Sequence, residues 1–228
     1  MLNVSHRLLT AVLINLALVL PLAAETGAVI DIQNEPHHHV VFENSLIRIL
    51  EVTIEPGTST LFHRHSRDNF AVYLDEVTTV NQPEGQPMPD AVPHVTGSVG
   101  FAAGDAKPYV HRVVNTGPSA VHLLDIELKL PADHRTGSAN TLAPVAVDND
   151  RIRAYTISLA PQQPSAPMQL GPGVLVVMPG VAVEQTASGG KSERVGTVGP
   201  RWRWRPAGSY VLRNRSDSTA LAVEVEIK

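Results

Sequence analysis

Apolar and polar residues alternate along most of this chain. Over residues 45–56, Leu46, Leu50, Val52 and Ile54 fall on one face with Arg48 among them, while Glu51, Thr53 and Glu55 fall on the other. A period of two marks a strand with one buried face. Residues 58–73, 97–103, 109–115 and 121–130 read as further strands, with a turn at Pro56-Gly57 and a loop over 104–108. In the closing strand His122, Leu124, Ile126 and Leu128 form the expected buried face, and Asp125 and Glu127 the outer one. No long helical period follows residue 25. The fold class is therefore all-β.

The pattern occurs twice. Residues 145–161 lie over 40–56 without a gap at an offset of 105, and residues 210–214 lie over 111–115 at an offset of 99. From Asn115 and from Asn214 the chain runs 14 more residues to a lysine, Lys129 and Lys228. Such a repeat means one β unit used twice: a first domain over 25–130, a linker over 131–144 rich in small and polar residues, and a second domain over 145–228. Arg48 with Arg153, Pro56 with Pro161 and Asn115 with Asn214 are common to both copies, which marks them as demands of the fold.

Composition narrows the function. The 228 residues are 43% hydrophobic and 18% charged, enough for two small cores. A net charge of -4 carries no basic excess, so no nucleic acid partner is expected. The absence of cysteine excludes disulfides, thiolate catalysis and thiolate metal ligation. Arg7 precedes an apolar run over 8–20, and Pro21-Leu-Ala-Ala24 offers small residues at a cleavage point. Residues 1–24 thus read as a signal peptide, removed from an exported, periplasmic or secreted protein with no stable membrane insertion.

The candidate chemistry lies in His63 and His65. Side chains two apart on a strand point the same way, so both imidazoles share a face. His111 stands in a second strand-like run. Three imidazoles could hold one divalent transition metal, and Fe, Ni, Zn, Cu or Mn would all suit such ligands. The repeat supplies a control: Met168, Leu170 and Tyr210 stand where His63, His65 and His111 stand in the first copy. All three histidines vanish together, so the second copy is expected to fold metal-free. The competing reading is three unrelated structural or surface histidines.

Gly57, five residues, His63-x-His65, three residues and Asn69 resemble the first cupin motif, which ends in Glu. Gly97 to Gly104, then His111, three residues and Asn115 resemble the second. With the repeat, the chain resembles a bicupin: two tandem cupin-type jelly-roll β-barrels, the second lacking the metal-ligand histidines. The opening Glu35-Pro-His-His-His with Phe42-Glu-Asn is similar to a group of bacterial cupin-domain proteins of unsettled function. Two departures stand out. Asn69 replaces the motif's Glu, where it could ligate weakly or hold a water, and the stretch from Gly104 to His111 is longer than usual. Asp68 would face away from the site unless the backbone bends.

The resemblance implies a metal-dependent site binding a small oxygen-rich molecule. Cupins with three histidines and no carboxylate include thiol and diketone dioxygenases, so a dioxygenase-type oxidoreductase is one expectation. A non-catalytic module that binds or senses a small ligand or metal is the other. His122 could be a proton shuttle or outer-sphere donor, or else a hydrogen-bonded core residue. Tyr73 could supply a hydrogen bond near the mouth, or pack. Arg48, kept as Arg153, reads as a structural ion pair. The run His37-His-His39 reads as strand entry with exposed imidazoles. In residues 201–205 Trp202 and Trp204 are expected to fill a barrel or the interface between barrels, with Arg201, Arg203 and Arg205 solvated. Edge strands of cupins often pair between chains, so a homodimer is possible.

Overall fold

The protein is described here by a computed structural model covering residues 28–130 and 144–228. The expected signal peptide, and the linker apart from Pro144, lie outside the described residues. Ten strands make the first half: β1 (Ile30–Asp31), β2 (His38–Glu43), β3 (Ile47–Ile54), β4 (His63–His65), β5 (Asn69–Tyr73), β6 (Val77–Pro83), β7 (Val92–His94), β8 (Val99–Ala102), β9 (Tyr109–Asn115) and β10 (Val121–Leu128). A single 3-10 turn, Ile32–Asn34, interrupts them. Nine make the second: β11 (Val145–Asp148), β12 (Ile152–Leu159), β13 (Met168–Leu170), β14 (Gly173–Val177), β15 (Ala182–Ala187), β16 (Ser192–Gly196), β17 (Trp202–Arg205), β18 (Gly208–Asn214) and β19 (Ala220–Ile227).

The strand order repeats. One sheet of the first half runs β2-β3-β10-β5-β8 and its counterpart runs β11-β12-β19-β14-β17. The other pair runs β1-β4-β9-β6-β7 and β13-β18-β15-β16. Each half is thus a two-sheet barrel of the jelly-roll kind. The residues shared by the copies do the same work in each. Asn115 Nδ2 donates to Ile54 O and Ser119 O, and Asn214 Nδ2 to Leu159 O and Ser218 O. Arg48 pairs with Glu43, as Arg153 does with Asp148, and Lys129 and Lys228 reach the same two carboxylates. Arg48 also binds Glu127 at 2.8 Å, so it is the structural ion pair its repetition suggests.

The largest apolar cluster lies between the barrels. Ile47, Ile49, Phe70, Val72, Leu124, Ile126 and Leu128 meet Ile152, Val174, Val176, Val223 and Val225, all at 1% exposure or less. Trp202 and Trp204 pack on Phe42 at centroid distances of 5.4 and 6.4 Å, which places both indoles at this interface. The closing strand β10 is therefore buried on both faces. Leu124, Ile126 and Leu128 face the sister barrel, while Leu123 and Asp125 line a cavity of the first one. Asp125 and Glu127 are buried, contrary to their assignment to an outer face.

The interiors differ. The second barrel is filled by Tyr155, Met168, Leu170, Leu175, Val183, Tyr210, Leu212 and their neighbours. In the first, a smaller cluster of Val52, Ile54, Val77, Val121 and Leu123 leaves a cavity of ≈ 300 Å³.

Candidate metal centre

Strands β4 and β9 are antiparallel neighbours, with His63 opposite His111 and His65 opposite Tyr109. The two-residue spacing puts His63 and His65 on one face, and the register brings His111 onto it. Ligand nitrogens of the three lie within 4.8 Å of one another, and all three residues are buried. In the second barrel Met168 is opposite Tyr210 in the equivalent β13–β18 pair.

The nitrogen tautomers are constrained. His63 Nδ1 lies 2.9 Å from Leu61 O, which can only accept, so Nδ1 carries the hydrogen and Nε2 a lone pair. His111 Nδ1 likewise donates to Asn81 Oδ1 at 2.6 Å. His111 Nε2 and His65 Nε2 are 2.9 Å apart. That is close to the ~3 Å spanned by two metal–nitrogen bonds of ~2.0–2.1 Å. His63 Nε2 and His65 Nδ1 are buried without a hydrogen-bond partner among the described residues. The unpartnered lone pair of His63 Nε2, buried beside the close His65–His111 nitrogen pair, fits a cation, which would take up that lone pair.

Burial also sets the charge state. It holds His63 at about 4, with the nearby His38 adding to the effect and the Leu61 carbonyl opposing it. Burial, with His63 and His38 beside it, holds His111 at about 3. His65 is pushed further below the usual range by burial and by His111. At neutral pH all three are uncharged imidazoles, the form that binds metal.

The other site residues divide. Asn69 lies in the cavity wall, but its amide is engaged on both sides. Its Oδ1 accepts from Tyr109 Oη at 3.0 Å, and its Nδ2 donates to Asp125 Oδ1 at 2.9 Å. One of the two lone pairs of that oxygen is thus taken by Tyr109. Tyr109 in turn stacks on His65 at 4.7 Å. Tyr73 lines the same cavity and stacks on His94 at 3.8 Å, with burial raising its hydroxyl.

Asp68 faces away from the cavity. It accepts from Arg151 Nε at 2.7 Å and from the Asp105 backbone N–H at 3.0 Å. The long stretch after Gly104 has this purpose: Asp105 joins Asp68 and Arg151 where the barrels meet. A Cβ on Gly104 would come within 2.1 Å of Arg67 O, so this close approach requires glycine.

His122 does not line the site. It is exposed and bonded to Asp75 at 2.8 Å, because its face of β10 turns toward the sister barrel and His122 lies beyond the apolar contact. Arg205 is not solvated either: it is buried against Glu224 and Gly171 O inside the second barrel.

One residue of the histidine run lies inside, not at the surface. His38 is 6% exposed, lines the cavity and sits 4.7 Å from the His63 ring. Glu35 Oε2 holds its Nδ1 at 2.6 Å. Burial alone would raise the Glu35 carboxyl, but hydrogen bonds from His38, His37 and the Leu61 N–H outweigh it and hold it at about 2. Alternation does split His37, His38 and His39 between faces; the middle one is the residue that points inward.

Solved structures share this architecture. AerE from Microcystis aeruginosa matches with a TM-score of 0.58 and 12% identity, over 85% of this chain and 98% of that one. The cupin 2 conserved barrel domain protein from Leptotrichia buccalis matches at 0.50 and 8%, over 84% and 88%. The fold is that of the cupins. A salicylate 1,2-dioxygenase variant from Pseudoaminobacter salicylatoxidans, in complex with gentisate, aligns with this chain at 0.54 and 11%, over 82% and 71%. No protein-family model matches the chain, and no curated protein does.

Proposed function

We propose that this bicupin is an exported, metal-dependent oxidoreductase of the dioxygenase type, acting on a small oxygen-rich molecule in its first barrel. The observation that carries the reading is the convergence of three buried, neutral imidazoles on one cavity, with His63 Nε2 left without a partner among the described residues. The dioxygenase among the structures of like fold supports the reaction class. His63, His65 and His111 would hold one divalent ion, whether Fe, Ni, Zn, Cu or Mn. Bound iron would supply Lewis acidity and a site for dioxygen.

The chain's own residues do the rest. The Leu61 carbonyl and the Asn81 amide fix the tautomers of His63 and His111, as outer partners of metal-binding histidines do. Val52, Ile54, Val113 and Leu123 give the cavity dry walls. Asp125 and Asn69 offer the polar contacts on the wall that a bound molecule can use.

The test is oxygen uptake by the iron-loaded protein with a panel of diketones, thiols and catechols. Uptake with one class, lost in His63→Ala, is expected. No uptake with any of them would favour the second reading, a module that captures a small ligand or metal without turnover.

A further inference from the structure

Each barrel carries a buried carboxylate at the same register position, and the two are neutralised differently. Asp125 lies opposite Ala71 in the β10–β5 pair, and Glu224 opposite Leu175 in the β19–β14 pair. Next to these strands, β8 sets Ala102 opposite Asn69, while β17 sets Arg205 opposite Gly173. Asn69 and Gly173 are themselves opposite Glu127 and Glu226. Ala102 and Arg205 therefore occupy equivalent places.

In the second barrel, the bare backbone of Gly173 leaves room for the guanidinium: a Cβ there would come within 3.0 Å of Arg205 Nη2. Arg205 and Glu224, at 1% and 0% exposure, form a buried ion pair. In the first barrel the cation is gone. Asn69 gives Asp125 one neutral N–H, and the space beside it belongs to the cavity that Ala102 and Asp125 both line. Among the described residues no lysine or arginine lines that cavity. A buried carboxylate without a countercharge calls for further hydrogen-bond donors.

We propose that the ligand supplies what Arg205 supplies in the sister barrel: the first cavity takes small molecules that aim an O–H or N–H donor at Asp125 and carry no carboxylate of their own. In the metal-free cavity a carboxylate ligand would meet Asp125 as a like charge, with no arginine to receive it; a divalent ion on the histidines of the same cavity would offset that repulsion. The inference deepens the proposed function by naming the substrate class of the same site. It separates this cavity from one suited to an aromatic acid such as gentisate.

Three catechols on one scaffold test it: 4-methylcatechol, dopamine and protocatechuate, which are respectively neutral, ammonium-bearing and carboxylate-bearing. Binding is measured by calorimetry on zinc-loaded protein, where no turnover occurs, and on metal-free protein. On the metal-free protein the neutral and ammonium members should bind about tenfold or more tighter than protocatechuate, and zinc should narrow the gap. Dopamine above 4-methylcatechol supports a cation in the guanidinium's place, and the reverse order supports a hydroxyl donor. In Asp125→Asn, with melting temperature and zinc content checked against the parent, protocatechuate should come within about threefold of the others. On the metal-free protein, equal or tighter binding of protocatechuate to the parent, an unchanged preference in Asp125→Asn, or no saturable binding of any member would overturn the proposal. Failure to load zinc would instead count against the proposed function, while the metal-free arm still reads the preference.

Discussion

His63 and His111 face each other across the β4–β9 pair, and Met168 and Tyr210 face each other at the same place across β13–β18. One scaffold is built twice and lined once with imidazole and once with apolar side chains. The second barrel shows that the scaffold closes with no histidine at these positions. Metal-stripped protein should therefore keep its far-UV circular dichroism, while its melting temperature falls. Saturation at a thousand times Kd is worth about 4 kcal/mol. Loss of the β signal on chelation would show that the first barrel needs its ion to fold.

Asn81 holds His111 by a hydrogen bond of 2.6 Å to Nδ1. Asn81→Leu should weaken metal binding by about 10–100-fold, the usual effect of removing such a partner. Competition with a chelator of known affinity measures it. An unchanged affinity would mean that the ring is held by packing alone.

Acid should destabilise the metal-free protein, with a sign set by competing groups. The unfolded chain protonates His63, His65 and His111 as the pH falls through 6.5, while the native chain, with His63 at about 4 and His111 at about 3, does not. Asp125 opposes this: burial raises it from 3.8 to about 6, so the native chain holds a proton that the unfolded one lacks. Three against one leaves ~2 protons on the unfolded side, a loss of up to about 3 kcal/mol per pH unit between pH ~6 and ~4. Glu35, held at about 2 against 4.5, adds stability above 4.5 that is lost as the pH falls towards 2. Urea midpoints at neutral pH and at pH ~6 and ~5 check this. A midpoint that stays flat or rises on acidification contradicts it.

The cluster between the barrels ties the halves into one cooperative unit. Ile126, at 0% exposure within it, should cost about 3 kcal/mol as Ile126→Ala. Arg151→Ala strands the buried Asp68 and should cost about 3–5 kcal/mol. Calorimetry should show a single transition for the parent and for both variants. Two separated transitions in the parent would mean that the barrels unfold independently.

The sequence carried the barrels and the histidine cluster because both rest on strand periodicity and on the repeat. The offsets that pair His63 with Met168 and His111 with Tyr210 reappear as strand registers. What alternation cannot tell is which buried face is which. On β10 one face meets the sister barrel and the other meets the cavity, so the charged Asp125 passed for a surface residue and His122 for a buried one. The same blindness hid Arg205, whose partner Glu224 lies 19 residues away on the same face of the sheet, across β14. His38 was hidden because a histidine run at a strand entry looks solvated; the signal available was Glu35 three residues before it.

The most direct test of the whole account is metal content per chain, by elemental analysis, for the parent protein and His111→Ala purified alike and shown to melt cooperatively. The account predicts close to one transition-metal ion per parent chain and almost none in the variant. Equal metal in the two, or none in the parent after exposure to each candidate ion, would contradict it.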